Sequence, residues 1–301
     1  MRILVTGKNG QLGGELQYAL MPIGEVVALD RSALDLSRPE TVRAVIDSVR
    51  PDVIVNAAAY TAVDRAETEE ALATTINGEA VGELAEAARR QRALLVHYST
   101  DYVFDGTAQS PYTERSPTNP TSAYGRSKLA GERALEQVGG DWLVFRTAWV
   151  YGTRGRNFMR TIAKAALERE TLRVVADQHG TPTAARIIAD ETAHALKHVL
   201  AQRGTSEPAS GIYHLTSNGR TTWHAFAQQI VDSLRASHGD RVATRSVDAI
   251  TTAEFNAPAP RPHFSVLDCR RFDDTFGVVR PEWDHVFRLI MSDYLRYLPR
   301  E

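Results

Sequence analysis

The 301-residue sequence has one cysteine, Cys269, no excess of charge of either sign, and no long apolar run. A single cysteine excludes an internal disulfide framework and suits a reducing compartment. With no paired base near it in the sequence, Cys269 reads as an inert packed thiol. Lysine and arginine number 35 against 37 aspartate and glutamate, a formal net charge of −2. No global field therefore recruits nucleic acid or an anionic membrane, and no polybasic tail is present. No run approaches the roughly 18 apolar residues of a membrane span, and no charged leader precedes an apolar stretch. The expected location is the cytoplasm. Repeats and low-complexity tracts are also missing, while hydrophobic content of 43% suits a globular chain.

What is present has a rhythm. Ile3 to Thr6, Val26 to Asp30, Val53 to Asn56, Leu94 to Ser99 and Leu143 to Arg146 are short, nearly continuous apolar runs. Strands buried on both faces of a parallel sheet look like this. Helical periodicity fills the gaps at Gln11 to Met21, Pro39 to Val49, one long stretch near Glu67 to Gln91, and Ala123 to Val138. The alternation predicts an α/β fold, a doubly wound parallel sheet of Rossmann type. Right-handed crossovers then gather the strand carboxyl ends along one edge. After about Thr147 the rhythm loosens. Helices are expected at Phe158 to Arg169, Ala185 to Gln202, Trp223 to Arg235 and His285 to Leu298, with isolated strands at Leu172 to Val175 and Ile212 to Leu215. Pro258, Pro260 and Pro262 exclude regular structure between them. The expected division is a dinucleotide-binding domain over 1–150 and a smaller C-terminal, mainly substrate-binding lobe over 151–301, some segments of which pack back on the first.

Directly after the first strand stands Gly7-Lys8-Asn9-Gly10-Gln11-Leu12-Gly13. Glycine permits the tight turn and lets backbone approach a pyrophosphate, and the helix beginning near Gln11 directs free N–H groups at it. Glycine-rich turns also merely connect strands to helices, but here the strand, turn and helix come in the required order. Asp30 ends the second strand, where a carboxylate accepts from an adenosine ribose; Arg31 beside it suits a 2′-phosphate instead. NADPH and NADH both remain open.

Tyr124-Gly125-Arg126-Ser127-Lys128 places a phenol and an ammonium four residues apart, on one helix face. A free tyrosine titrates near pH 10, so a proton donor at pH 7 needs stabilised phenolate, expected from the ammonium and the nicotinamide. The pattern is cheap alone. It is joined by Tyr98-Ser99-Thr100-Asp101-Tyr102 at the end of the fourth strand, with the Thr100 hydroxyl ready to polarise a carbonyl or orient the tyrosine. Asn56-Ala57-Ala58-Ala59-Tyr60-Thr61 ends the third strand with small residues that let a cofactor lie close.

This ordered set, with Ser99 to Gly106, resembles the extended short-chain dehydrogenases. More narrowly, Gly10 to Gly13, Ala62 to Glu67, Arg146 to Gly152, Asp177 to Thr183 and Arg261-Pro262 near Ser265 to Asp268 resemble the dTDP-4-dehydrorhamnose reductase family over nearly the whole chain. The resemblance implies hydride transfer from NADPH or NADH to the C4 ketone of dTDP-4-dehydro-β-L-rhamnose. Tyr124 then protonates the alkoxide, Lys128 holds the nicotinamide ribose, and Thr100 tunes the tyrosine. Gly7, Gly10, Gln11, Leu12, Gly13, Asp30, Arg31, Asp35, Leu36, Ala58, Ala59, Tyr60 and Thr61 become cofactor contacts. Thr100, Asp101, Tyr102, Phe104, Trp149, Asn157, His179 and Arg261 fall to the substrate, although Trp149 also fits a core aromatic. Arg154, Arg156 and Arg261 are candidates for the diphosphate. Some relatives pair through a divalent ion such as Mg2+ held by glutamates. Glu15 fits one such place, but Arg186 occupies a second, which puts a metal-bridged dimer in doubt and leaves monomer or homodimer. His179 has no second histidine or cysteine at ligand spacing.

Other readings compete. The chain could reduce another dTDP-4-keto-6-deoxy sugar. A dehydratase needs an acidic pair after the threonine, where only Asp101 precedes Tyr102. A non-catalytic regulatory subunit, of the kind that serves methionine adenosyltransferase, is disfavoured by the intact Tyr124 and Lys128.

Overall fold

Short apolar segments with no polar face to offer water are driven to lie side by side between helices. In the computed structural model, which describes residues 1–202 and 210–298, they are β1 (Arg2–Thr6), β2 (Glu25–Leu29), β3 (Val53–Asn56), β4 (Leu94–Thr100) and β5 (Trp142–Thr147). A sixth strand, β10 (Gly211–His214), joins from far along the chain. The order is β10-β5-β4-β3-β1-β2, all parallel. Every residue of β3 and β4 is buried. From β1 the chain goes one way to β2 and then back past itself to β3. That reversal opens a crevice at the carboxyl ends of β1 and β3, where doubly wound sheets bind ligands. The fold is Rossmann-like.

Alternation along each strand feeds two cores. Ile3, Val5, Val53, Val55 and Val96 meet α1 (Gln11–Leu20), α8 (Ala185–Gln202) and α11 (Arg270–Phe276) on one face. Leu4, Ile54, Leu95 and Val144 meet α2 (Val42–Val49), α5 (Ala80–Gln91) and α6 (Ala123–Val138) on the other. A third core, centred on Met159, Phe226, Ile230 and Phe287, is built by α7 (Phe158–Glu168), α9 (Trp223–His238) and α12 (Trp283–Arg296). It packs with the parallel pair β7 (Thr171–Val175) and β12 (Ser246–Ile250). Two short pairings cross this region: β6 (Val150–Tyr151) with β9 (Thr183–Ala184), and β8 (His179–Gly180) with β11 (Thr221–Thr222).

The long helix expected near Glu67 to Gln91 is present from Glu70 onward, but it carries a π turn and is preceded by a separate short helix. After α3 (Val63–Ala66) come α4 (Glu70–Thr74), a π-helical turn over Thr75–Glu79, and α5. The extra residue of a π turn re-aims side chains and often marks a functional site. Here it turns Asn77 inward, where it is 1% exposed. The proline-rich stretch is irregular as expected, following the short α10 (Thr252–Phe255) and a left-handed Asn256. Among the described residues no helix is long and apolar enough to cross a membrane.

Candidate active site

Gly7 follows β1 with a φ of +68°, a conformation that side chains resist. A Cβ there would press on Ala57 and Ala58, and one on Gly13 would run into the Gly7 carbonyl. The turn is therefore shaped by missing atoms. Gly10 caps α1 without a side-chain hydrogen bond, so the first-turn N–H groups of Gln11 and Leu12 point out of the helix end as an anion cradle. Leu12 packs against the core beneath the turn, and Gln11 Oε1 is buried without a partner among the described residues. A cradle that a single Cβ would fill, at an uncapped helix start, fits a dinucleotide diphosphate.

At the end of β2, Asp30 accepts from Ser32 Oγ at 2.5 Å and lies 3.0 Å from Lys8 Nζ. Ser32 first and Lys8 second hold its carboxyl well below the usual range. Arg31 is exposed and turns to Asp35 at 3.3 Å, while Asp35 accepts from Ser37 Oγ at 2.7 Å. Leu36 is buried between these polar groups and the sheet. Lys8, inside the glycine turn, escaped the sequence reasoning; its spacing to Asp30 becomes visible only once β1 and β2 pair.

Tyr124 and Lys128 share the first turns of α6, whose start is fixed by Ser122 Oγ accepting from Gly125 N at 3.1 Å. A Cβ on Gly125 would collide with the Tyr102 carbonyl, so glycine there lets the helix settle on the end of β4. The Tyr102 and Tyr124 rings meet edge to face at 5.7 Å. Thr100 Oγ1 accepts from Tyr102 N at 3.2 Å and donates to Asp101 Oδ1 at 3.0 Å. Burial pushes the Asp101 carboxyl up to about 6, with Ser265 and Thr100 opposing. Tyr124 is likewise pushed up by burial, to about 12, against the pull of the Thr100 hydroxyl. Within the protein alone burial outweighs the Thr100 hydrogen bond, so the lowering expected from the ammonium and the nicotinamide is not supplied by the fold itself. Lys128 is pushed down by burial to about 7, with Glu132 opposing. Its Nζ lies 3.1 Å from His97 Nε2.

Two further residues tie the parts together, and the sequence reasoning missed both. Asn77 Oδ1 accepts from Tyr60 N at 2.9 Å, and its Nδ2 donates to Tyr60 O and to Ser127 Oγ at 3.0 and 2.9 Å. The segment Ala58 to Thr61 is thereby clamped to α6. His97 is the other. A polar residue inside a strand expected to be buried on both faces is the signal that could have found it.

The expected substrate residues divide. Trp149 adopts a φ of +49° and stacks on Trp223 at 3.5 Å, its indole against Gly180. Phe104 is wholly buried, sandwiched between Tyr112 at 4.2 Å and the Arg146 guanidinium at 5.1 Å. Asn157 caps α7 through Arg160 N and donates to Gly152 O and Arg154 O, so protein partners take its donors and its acceptor. His179 is exposed, its backbone tied to His263 and Ser265. Arg261 forks onto Asp64 at 3.1 and 3.2 Å, strapping the proline-rich loop to α3. Beside it opens a cavity of about 140 Å³ lined by Gln178, Thr252 and Phe255. A larger hollow of about 420 Å³, between Ser217, Asp268 and Arg280, contains none of the expected site residues. Arg154 lies over Tyr18 and beside Gly14, nearer the glycine turn than the Arg261 loop, and Arg156 is exposed.

Glu15 does not fit a metal site. The Arg186 guanidinium fills the space between Glu15 at 3.1 Å and Asp293 at 3.4 Å. A fixed cation already supplies the charge that a divalent ion would bring, and no group of three acidic, histidine or cysteine ligands exists among the described residues.

Comparison with known proteins shows the family. The family described as RmlD substrate binding domain matches residues 1–296. A dTDP-4-dehydrorhamnose reductase of Burkholderia thailandensis is 52% identical over 98% of this chain and 99% of its own. The crystal structure of a dTDP-4-dehydrorhamnose reductase from Clostridium acetobutylicum superposes with a TM-score of 0.86 at 36% identity, covering 97% and 99% of the two chains. Another from Bacillus anthracis, in complex with NADP, gives 0.86 at 32% identity over the same shares. The chain belongs to the RmlD substrate binding domain family, that of the dTDP-4-dehydrorhamnose reductases.

Proposed function

We propose that this protein reduces the C4 ketone of dTDP-4-dehydro-β-L-rhamnose to dTDP-β-L-rhamnose, using NADPH or NADH, in the cytoplasm. The observation that carries the reading is that α6, bearing Tyr124 and Lys128 one turn apart, packs on the carboxyl end of β4, where Thr100 bonds Tyr124 and His97 meets Lys128, on the same sheet edge as a glycine turn shaped for a diphosphate. The reduced nicotinamide, when bound, supplies the hydride. Tyr124 holds the proton that neutralises the alkoxide, and its half-buried, poorly solvated phenol keeps that proton until an oxyanion forms beside it. Thr100 orients the phenol, and Lys128 reaches the nicotinamide ribose. Gly7, Gly10 and Gly13 with the α1 amides hold the diphosphate, and Ala58 to Thr61 line the cofactor's path. Asp30, backed by Lys8, and Arg31 with Asp35 address the adenosine ribose, a near-neutral cluster that tolerates either nicotinamide. Asp101, Tyr102, Trp149, His179 and Arg261 border the sugar nucleotide, over which residues from 151 onward form the covering lobe. Phe104 and Asn157 support that lobe from within.

The test is product identification after incubation with NADPH and the dTDP-4-keto sugar. Formation of dTDP-L-rhamnose is expected. Its C4 epimer as product would assign a sibling sugar, and no oxidation of NADPH would refute the reductase reading.

A further inference from the structure

The face of the sheet under α6 carries a row of polar side chains that the reduction does not use. Thr6, Asn56 and His97 are register partners across β1, β3 and β4, so they project to the same side. Each is 1% exposed, and the row ends on Lys128, 2% exposed.

Hydrogen-bond direction along the row is set from one end. The Ala58 amide can only donate, and it does so to Thr6 Oγ1 at 3.1 Å. Thr6 Oγ1 lies 2.6 Å from Asn56 Oδ1, a separation typical of O–H···O and short for N–H···O. The hydroxyl therefore donates to the amide oxygen. That turns Asn56 Nδ2 to His97 Nδ1 at 3.0 Å, and an amide nitrogen offers only protons. Nδ1 must accept, so the neutral imidazole carries its proton on Nε2. Nε2 faces Lys128 Nζ. A ring N–H needs a lone pair opposite, and an ammonium has none.

We propose that the Thr6–Asn56–His97 row holds Lys128 as a neutral, accepting amine in the cofactor-free protein, with His97 as the positioning residue, and that binding of the nicotinamide dinucleotide charges it. The second half rests on the cofactor reading above; the first half does not.

The groups around Lys128 are consistent with this. Glu132 acts on it from its own helix, on which Tyr124 stands one turn earlier on the same face; His97 faces it from β4, and Asp101 acts on Tyr124 from the following turn. Among the described residues, Glu132 is the one carboxylate that acts on the amine to favour its charge. Arg146 of β5 takes both its oxygens, at 2.9 and 2.6 Å. Burial disfavours the ammonium and sets Lys128 near 7; it also holds His97 well below its usual range. A dinucleotide brings an anionic diphosphate and ribose hydroxyl acceptors, both of which favour an ammonium. Charging takes one proton from solvent onto Nζ. The amine then donates to Nε2, the imidazole proton resides on Nδ1, and Asn56 turns its amide to accept it. Tyr124, one turn earlier on the same helix face, has a cation on that face only at that point, so the acid becomes competent after the cofactor has arrived.

Two measurements test this. Imidazole 15N NMR of the ligand-free protein, with the His97 signal assigned through His97→Gln, is expected to show the Nε2–H tautomer. A proton on Nδ1 would overturn the polarity of the row, whatever the activity. Calorimetric titration with NADPH and NADH at pH 8, about one unit above the titration of Lys128 near 7, in buffers of different ionisation enthalpy, is expected to show uptake of close to one proton per chain. The near-isosteric Lys128→Met should abolish it. No uptake by the parent protein, or equal uptake by the variant, would overturn the charging step. No binding heat with either dinucleotide would refute the cofactor reading itself, and the tautomer would still decide the row.

Discussion

Asp101 occupies a place where a carboxylate is poorly solvated. It is 2% exposed, and burial raises its pKa from 3.8 to about 6 despite the hydroxyls of Thr100 and Ser265. A folded-state pKa above the unfolded one means that the native state binds the proton more tightly. Stability from this group is therefore fully present below about pH 4 and falls as pH rises through the interval up to about 6. A shift of about two units corresponds to about 3 kcal/mol lost at pH 7. Asp101→Asn keeps the size and retains an amide oxygen to accept from Thr100, but never ionises. The variant should match the parent near pH 4 and exceed it at pH 7 by up to about 3 kcal/mol, read as a raised midpoint in urea. Because Asp101 also borders Tyr124, kcat should fall as stability rises. Equal midpoints at pH 7, or a difference that does not grow between pH 4 and 7, would refute the assignment of a strained, ionised Asp101.

The other perturbations act on separate parts. Tyr124→Phe removes only the proton, so kcat should drop by about two to four decades, with cofactor Kd little changed in a fluorescence titration. Glu132→Ala would leave the Arg146 guanidinium, 3% exposed in the pair, buried and alone; about 3–5 kcal/mol of destabilisation is expected, a fall in Tm on the order of 10 °C. Lys8→Ala strips Asp30 of its counter-ion and should weaken NADPH relative to NADH about tenfold or more, whereas Arg31→Ala should do less, because Arg31 is held by Asp35; paired dissociation constants check both. Since Arg186 bridges Glu15 and Asp293, EDTA should change neither Tm nor oligomeric state, as followed by scanning calorimetry and light scattering.

Periodicity and turn chemistry carried most of the architecture. β3 and α6 begin and end at the expected residues, because a run of β-branched residues closed by an asparagine and a serine-capped amphipathic run are unambiguous to a chain choosing between strand and helix. The π turn inside the helix near Glu67 to Gln91 escaped notice because it costs one residue of phase without altering composition. Its only trace is Asn77-Gly78, where glycine packs against Ala130 of α6. The site was legible where function needs a motif. It was illegible where function needs a contact across the sheet: Lys8 to Asp30, Asn77 to Tyr60, His97 to Lys128. Each pair is separated by 17 or more residues, and only strand register or helix docking brings it together. The pKa directions were also out of reach, since desolvation depends on the packing above each group.

The glycine turn and the buried row are parts of one device. Thr6 is the last residue of β1 and Gly7 the first of the turn, so the hydroxyl that fixes the polarity of the row adjoins the expected diphosphate cradle. Ala58, whose amide anchors that hydroxyl, is also the residue that a side chain on Gly7 would strike. Two strands away the same row ends on Lys128, and through Glu132 and Arg146 it adjoins the layer beneath Phe104. A charge placed at the cradle therefore acts on the lysine by the direct field of an anion in a poorly screened interior and through reversible hydrogen-bond polarity along the row. A rigid sheet edge can in this way keep its proton donor inert until the dinucleotide is in place, by electrostatics rather than by a moving lid.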